Sequence, residues 1–350
     1  MSAFVRPGQR VLVKVNLLAK AEPERAVTTH PEVVRAVIRS VREAGGVPVV
    51  GDSPGGPSAQ SFLSGVRKAS GIGAVCDEEG VEFVFFDECT RVSSPEGELF
   101  QQFTVGREVV ECDVLITVSK LKTHTFQMFT GAVKVLFGCI PGLEKATYHF
   151  RVPDRDDFGS MLIDLMLAVR PALSIMDGVV GMEGAGPSRG TPARIGALLA
   201  SGNAVTLDVV ASAMIGLDVD DVYTSRAAAR RGLGPGSVED VPVVGDDWRA
   251  MKPDGFSLPV GDLSSRAPAW LAPRVRSWIT PRPVLELAHA CTRCKKCEQS
   301  CPVKAIDVNS AGPQFDYKTC IRCYCCEEIC PERAISTKAP PAARIFVRQP

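Results

Sequence analysis

The sequence lacks any run of about 18 or more apolar residues, the length a membrane-crossing helix requires, so no membrane span is expected. It also lacks an excess charge of either sign: Lys plus Arg number 40, and Asp plus Glu number 40. Nucleic-acid phosphates call for surplus basic side chains, so no nucleic-acid partner is expected. Residues Met1 to Gly8 hold no apolar core of signal-peptide length, and a cytoplasmic location is expected. No loop carries G-x-x-x-x-G-K-[ST] or a correctly spaced G-x-G-x-x-G, so neither ATP nor a nicotinamide cofactor can be assigned. With 45% hydrophobic and 23% charged residues in 350, the chain can bury a sizeable core. That length allows about two to three domains of roughly 150 residues each.

Cysteine is unevenly spread. Of the 13 cysteines, nine fall between Cys291 and Cys330. Eight of these form two equal runs, Cys291-x2-Cys294-x2-Cys297-x3-Cys301-Pro302 and Cys320-x2-Cys323-x2-Cys326-x3-Cys330-Pro331. Clusters of this kind in a reducing compartment point to metal rather than disulfides. Three thiolates spaced by two residues wrap one corner of a cubane, and the fourth must come from elsewhere. In two-cluster arrangements the fourth cysteine of each run serves the other cluster. Cluster one then takes Cys291, Cys294, Cys297 and Cys330, and cluster two takes Cys320, Cys323, Cys326 and Cys301. Two tetrahedral zinc sites are the competing reading, but C-x2-C-x2-C crowds three sulfurs in a way zinc seldom uses. Cys325 is a ninth thiol without an assigned role. The pattern from about Ala288 to Ser336 resembles the bacterial two-[4Fe–4S] ferredoxins.

The rest of the chain alternates apolar strands with helices. Val11 to Val15, Val47 to Val50, Val81 to Phe86, Val114 to Val118 and Leu173 to Met176 read as buried strands, and Ile195 to Ala200 as another. Pro31 opens a helix whose Val33, Val34, Val37, Ile38 and Val41 share one face, and Gly45-Gly46 end it. Val205 to Ile215 reads as a helix. Strands apolar on both faces imply an α/β fold, a mostly parallel open sheet with helices on both faces. The cysteine runs add a small α+β two-cluster ferredoxin module. The expected domains are 5–231, a Pro/Gly-rich connecting segment 232–284 partly packed through Trp248, Trp270 and Trp278, the module at 285–339, and a Pro/Ala-rich tail at 340–350.

Ligands in open α/β sheets bind where strands end. Lys120, Lys122 and His124 directly follow a strand, and Lys134 lies within the next turn of chain. Three lysines and a histidine in so short a span favour an anionic substrate or cofactor, with the histidine able to act as acid, base or ligand. Gly131 and Gly138 allow close backbone approach. A second segment, Asp177 to Gly190, follows another strand and reads as an extended loop. It offers Asp177 and Glu183 for acid/base or metal-facing work, and Gly184, Gly186 and Gly190 as backbone donors. Lys14 and Asn16 close the first strand, Asp52-Ser53 the second. Asp208 sits in an apolar helix, where an acid needs a partner or a cleft.

These segments resemble the family called domain of unknown function 362. They are Lys14-Val15-Asn16, Thr29-His30-Pro31, Gly51-Asp52-Ser53, Lys120-Leu121-Lys122-Thr123-His124, Gly131-x2-Lys134-x3-Gly138 and Asp177-Gly178 through Gly190. More distantly, His124, Lys134 and Pro141-Gly142 are similar in order to the N-terminal domain of nickel-dependent lactate racemases. There the corresponding lysine carries a nickel-pincer nucleotide. Here Ala132-Val133 replaces the glycine pair found before that lysine. The resemblance implies a shared fold and an anion-binding edge.

The expected function is an iron–sulfur oxidoreductase. It passes low-potential electrons through two [4Fe–4S] clusters to or from an anionic substrate in the α/β domain, or an additional unidentified anionic cofactor there. Lys122, His124, Lys134, Asp177 and Glu183 are the candidate catalytic residues. Lys14, Asn16, Gly131, Gly138, Gly184, Gly186 and Gly190 are the candidates for holding the ligand. The alternatives are a ferredoxin-like carrier or adaptor docking a partner enzyme, and a non-redox enzyme with structural clusters. The expected partners are a redox protein or a small anionic substrate, and a homo-oligomer is compatible with the sequence.

Overall fold

The computed structural model describes residues 1–55, 60–142, 144–259 and 280–338. Strands β1 (Arg10–Lys14), β2 (Val47–Asp52) and β3 (Glu82–Phe85) alternate with helices α1 (Pro31–Glu43), α2 (Gln60–Ala69) and α3 (Ile72–Glu79). A hairpin of β4 (Cys89–Ser93) and β5 (Gln102–Gly106) and a short α4 (Arg107–Glu111) lead to β6 (Val114–His124) and β7 (Met128–Thr130). Helices α5 (Ala132–Val135), α6 (Glu144–Arg151) and α7 (Arg155–Val169) follow. Then come β8 (Leu173–Glu183), β9 (Thr191–Ser201), α8 (Ala204–Met214) and α9 (Tyr223–Arg230).

The main sheet runs β3-β2-β1-β6-β8-β9, with β7 folded back on β6. Pairs among β3, β2, β1, β6 and β8 are parallel; β8–β9 and β6–β7 are antiparallel. The sheet is therefore mostly parallel and mixed at one edge. Its strands are apolar on both faces because helices cover both. One core layer packs Val34, Val37, Ile38 and Val41 of α1 against Val11, Val13 and Ile116. The opposite layer packs Phe158, Leu162 and Leu165 of α7 and Val205 and Val209 of α8 against Leu12 and Leu115. Helix α1 starts at Pro31, where the missing N–H costs nothing, and His30 Nδ1 caps it by accepting from Glu32 N–H at 3.3 Å.

Two strands run further than the apolar pattern indicates. Strand β6 continues through Lys120, Lys122 and His124, every residue of it buried. Strand β8 continues to Glu183, through half of the segment expected as a loop. Both extensions are paired, to each other and to β7 and β9, so polar residues remain in strand because the ladder satisfies their backbone. A register shift between Lys120 and Lys122 splits the lysines: Lys120 turns to Asp177, and Lys122 does not. Beyond α9, the connecting segment is mostly irregular with two short 3-10 turns, Val238–Asp240 and Trp248–Met251, and Trp248 packs against the main core. Trp270, Trp278 and the tail lie outside the described residues.

The cysteine-rich part forms two antiparallel ribbons, Arg282–Leu285 with Ile335–Lys338 and Ile306–Asn309 with Gly312–Phe315. Each cysteine run ends in a one-turn helix, Lys296–Gln299 and Cys325–Glu328. Left-handed residues recur at equal offsets, Arg293, Lys295 and Lys304 in the first run and Arg322, Tyr324 and Arg333 in the second. Backbone N–H groups repeat too: Ala305 donates to Cys301 Sγ at 3.2 Å and Ala334 to Cys330 Sγ at 3.3 Å. This module is seated firmly on the sheet domain. Tyr324, 2% exposed, enters the main core, receives Arg155 Nη2 at 3.3 Å and donates to Pro281 O at 2.8 Å. Arg189 crosses to Ile335 O at 2.9 Å and Glu286 at 2.8 Å.

Candidate functional site

The C-terminal ends of β2, β1 and β6, adjacent and parallel, open into a cleft that is partly continuous with solvent. Strand ends are where an open α/β sheet exposes backbone and side chains to a ligand. Lys14 closes β1, Asp52 closes β2, and Lys122 and His124 close β6. Helix α5 and the turn after it add Lys134, Phe137 and Gly138; α6 adds Lys145 and His149. The far wall comes from the cysteine-rich module: Ser300, Cys325, Glu328 and Ile329.

Lys14 and Asp52 form a buried ion pair at 2.6 Å. Lys14 also donates to Val15 O at 2.8 Å, and Asp52 accepts from Leu17 and Ser53 N–H. Gly138 is required beside them, since a Cβ there would stand 2.3 Å from both Lys14 Nζ and Asp52 Oδ1. Lys122 Nζ donates to Val27 O at 2.5 Å, and Lys145 Nζ donates to Ser53 O and Ile140 O. Burial pushes both Lys122 and Lys145 down to about 7. Lys134 is also lowered by burial, and its Nζ lies over the Phe137 ring at 4.8 Å.

Burial holds His124 well below the usual histidine range, with the lysines beside it acting in the same direction. Its Nδ1 accepts from Phe126 and Gln127 N–H at 3.1 and 3.4 Å, which places the remaining proton on Nε2. That Nε2 lies 3.4 Å from Glu328 Oε1, whose carboxyl is itself raised by burial. His149 stacks on Phe158 at 4.4 Å and is pushed down to about 3 by burial. The cleft thus presents two neutral imidazoles among ammonium groups. Among the described residues, three buried polar atoms of its lining have no hydrogen-bond partner: Asn16 Oδ1, Thr130 Oγ1 and His149 Nδ1.

The structure gathers Lys14, Asn16, Lys122, His124, Lys134 and Gly138 at this cleft. It puts the other sequence candidates elsewhere. Asp177 is buried against Lys120 at 2.7 Å and accepts from His30 N–H at 2.9 Å, so its carboxylate is fully used in tying β8 to β6 and α1. Glu183 accepts from Ser257 N–H at 2.8 Å, and Gly184 N–H donates to Ser257 O. Gly186 and Gly190 pack on Thr123 and Glu183 backbone at distances no Cβ could occupy. Their glycines serve chain packing; Pro187 alone of that segment reaches the cleft.

Gly131 acts indirectly. Its absent Cβ would lie 2.1 Å from Asp208 Oδ1, and Asp208 accepts from Ala132 and Val133 N–H at 2.6 and 3.0 Å. This caps the short helix that carries Lys134. Burial pushes Asp208 up to about 7. Asp208→Ala is expected to lose about 2–4 kcal/mol in urea unfolding, because two buried N–H groups lose their acceptor. Asp208→Asn keeps one acceptor and should lose less than half as much.

Ser53, Thr130, Lys145, His149, Cys325 and Glu328 were not picked as site residues from sequence. Lys145 and His149 do carry a legible signal, four residues apart on one face of α6. Glu328 carries none, because it reaches the cleft only through the docking of the module.

The eight run cysteines fit iron–sulfur clusters. Cys291, Cys294, Cys297 and Cys330 line one pocket, so sulfurs of both runs face the same space. Burial pushes Cys297 up to about 11, with Cys330 and Cys294 raising it further. Cys301 is raised by burial and by Cys323 and Cys320. Thiols held high by neighbouring thiols become good ligands once a cationic core stands between them.

An open, mostly parallel α/β domain joined to a ferredoxin-type module, with a cationic cleft between them, defines the class. The chain belongs to the family of the Domain of unknown function (DUF362), whose model matches residues 11–213. Residues 284–331 match the 4Fe-4S dicluster domain, which implies two clusters. The chain is 37% identical over 270 residues to the "Thylakoid-associated protein sll1697" of Synechocystis sp., covering 74% of this chain and 82% of that one. The lactate racemase apoprotein from Thermoanaerobacterium thermosaccharolyticum is similar in structure at a TM-score of 0.39 and 15% identity. That likeness covers 57% of this chain and 47% of the racemase, so the chain spans about half the length of that protein. No helix among the described residues is long and apolar enough to cross a membrane.

Proposed function

We propose that the chain is an iron–sulfur oxidoreductase that exchanges electrons with an anionic substrate or cofactor held in the cleft. One observation carries this reading. The helix Cys325–Glu328, which includes Cys326 and follows Cys323, forms a wall of the cleft with its Cys325 and Glu328 side chains. Cys291, Cys294, Cys297 and Cys330 would hold one cluster, and Cys320, Cys323, Cys326 and Cys301 the other. When bound, the two clusters supply one-electron transfer between a partner and the cleft.

The residues of the chain do the rest. Lys122, Lys134 and Lys145 attract and fix the anion as compact point charges, beside Lys14 neutralised by Asp52. Neutral His124 offers a hydrogen bond from its Nε2–H, beside Glu328, its orientation locked by two backbone N–H groups. Phe137 and the apolar side chains near it exclude water, which strengthens each charge contact. Cys294, exposed on the module's outer surface, marks the side where a redox protein would exchange electrons.

The test begins with anaerobic holoprotein reduced by dithionite and mixed with oxidised organic anions such as oxo acids, enoates and organic phosphates. At least one anion should restore the oxidised cluster absorbance faster than buffer does. Cys320→Ala, retaining only the cluster of Cys291, should abolish that reoxidation. Reoxidation that survives the loss of the Cys320 cluster would overturn direct transfer into the cleft.

A further inference from the structure

We propose that the occupant of the cleft is a small dianion, a phosphate monoester or a dicarboxylate, rather than a monoanion. This rests on the cleft being the substrate or cofactor site. Among the described residues four lysines line it and only two carboxylates, Asp52 and Glu328, so with every lysine protonated two positive charges have no counter-ion. Asp52 is already committed to Lys14 and two backbone N–H groups. Among the described residues, Lys134 Nζ has no hydrogen bond or ion pair, while Lys14, Lys122 and Lys145 each reach only backbone carbonyls besides that pair. A buried ammonium without a partner is costly, and here the cost is concentrated on one side of an open space. Among the described residues, Asn16 Oδ1, Thr130 Oγ1 and His149 Nδ1 of the same lining also have no hydrogen-bond partner.

The residue types narrow the class. Among the described residues no arginine lines the cleft, so the planar fork that best matches a lone carboxylate is not supplied by them. Several separated lysine charges instead suit an anion whose charge is spread over a tetrahedron or over two groups. A single negative charge would compensate only one of the two excess ammonium charges. The lowered values of Lys122 and Lys145 agree with a cleft whose counter-charge arrives with its ligand. Burial is the main cause of both; Lys134, Lys120 and Lys14 lower the pair further, while Asp52, Glu328 and Cys139 oppose the shift.

Anaerobic calorimetric titration of the holoprotein tests this with sulfate, a dianion at every relevant pH, and with malonate and acetate. Sulfate or malonate should bind at least about thirtyfold more tightly than acetate. At about pH 8, lysines near 7 are mostly neutral in the free protein and recharge beside the dianion. Binding should therefore take up protons, seen as a heat that varies with the buffer's ionisation enthalpy, and weaken about tenfold per pH unit for each proton taken up. Lys134→Gln and Lys145→Gln should each lower sulfate affinity by about ten- to a hundredfold with an unchanged far-ultraviolet spectrum. A preference for sulfate over malonate indicates a phosphate-type ligand, and the reverse a dicarboxylate. Equal affinity for acetate and sulfate, or dianion binding indifferent to both variants, would overturn the proposal. Neither outcome touches the electron-transfer reading, which the Cys320→Ala reoxidation measures separately.

Discussion

Anaerobically purified Cys301→Ala protein is expected to hold roughly four iron atoms per chain instead of roughly eight, and the cluster lost is that of the other cysteine run. The reason is spatial. Cys301 ends the first run, yet the thiols that raise it are Cys323 and Cys320 of the second. Cys297 of the same run is raised by burial and, among the thiols, by Cys330 and Cys294 instead. Cys297→Ala should therefore remove the other four iron atoms. The two variants are told apart by electron paramagnetic resonance of the dithionite-reduced proteins. Wild-type protein should show the broadened signal of two interacting reduced centres, and each variant a different simple spectrum. Only Cys301→Ala should lose the electronic link to the cleft, because Cys326 lies in the helix that lines it and Cys323 just before that helix. Loss of the Cys291–Cys297 centre in Cys301→Ala protein would refute the crossed ligand set.

The ligand runs were legible because their chemistry is written in local spacing, and so was the parallel sheet, because its strands are apolar on both faces. The cleft was legible in part. Lys122, His124, Lys134, Lys14 and Asn16 stand at or just after strand ends, and topology alone brings such positions together. Asp177 and Glu183 have the same local signature, a carboxylate after an apolar strand, but β8 simply continues through them. Whether a strand stops or pairs onward depends on β6 and β9, which short-range sequence does not encode. Lys120 and Lys122 differ only by the register shift between β6 and β8, invisible before the strands are paired. Glu328 and Cys325 were hidden for another reason. Their place in the site comes from the docking of one module on another, held by Tyr324 in the main core and by Arg189 across the boundary. No periodicity in either module announces that contact.

The buried Lys14–Asp52 pair sets the second large effect. Asp52→Asn is expected to destabilise the protein by about 3–5 kcal/mol, measured by urea unfolding followed by far-ultraviolet circular dichroism. Both side chains are essentially inaccessible, Lys14 at 0% and Asp52 at 1% exposure. The loss is not the worth of one contact. Replacing the carboxylate leaves the charge of Lys14 Nζ buried beside Lys145 and Lys134 without a counter-ion, with only Val15 O and a neutral amide oxygen as acceptors, and weakens the capture of Leu17 and Ser53 N–H. Adding Lys14→Met to Asp52→Asn should recover at least half of the loss, since the double variant buries no uncompensated charge and keeps one amide oxygen for the backbone. Independent, additive losses from the two substitutions would show that the pair is not coupled as the 2.6 Å contact requires. The same double variant should bind sulfate no more weakly than Lys134→Gln does, because Lys14 and Asp52 cancel within the cleft. The surplus positive charge that draws the anion resides on the lysines of β6, α5 and α6.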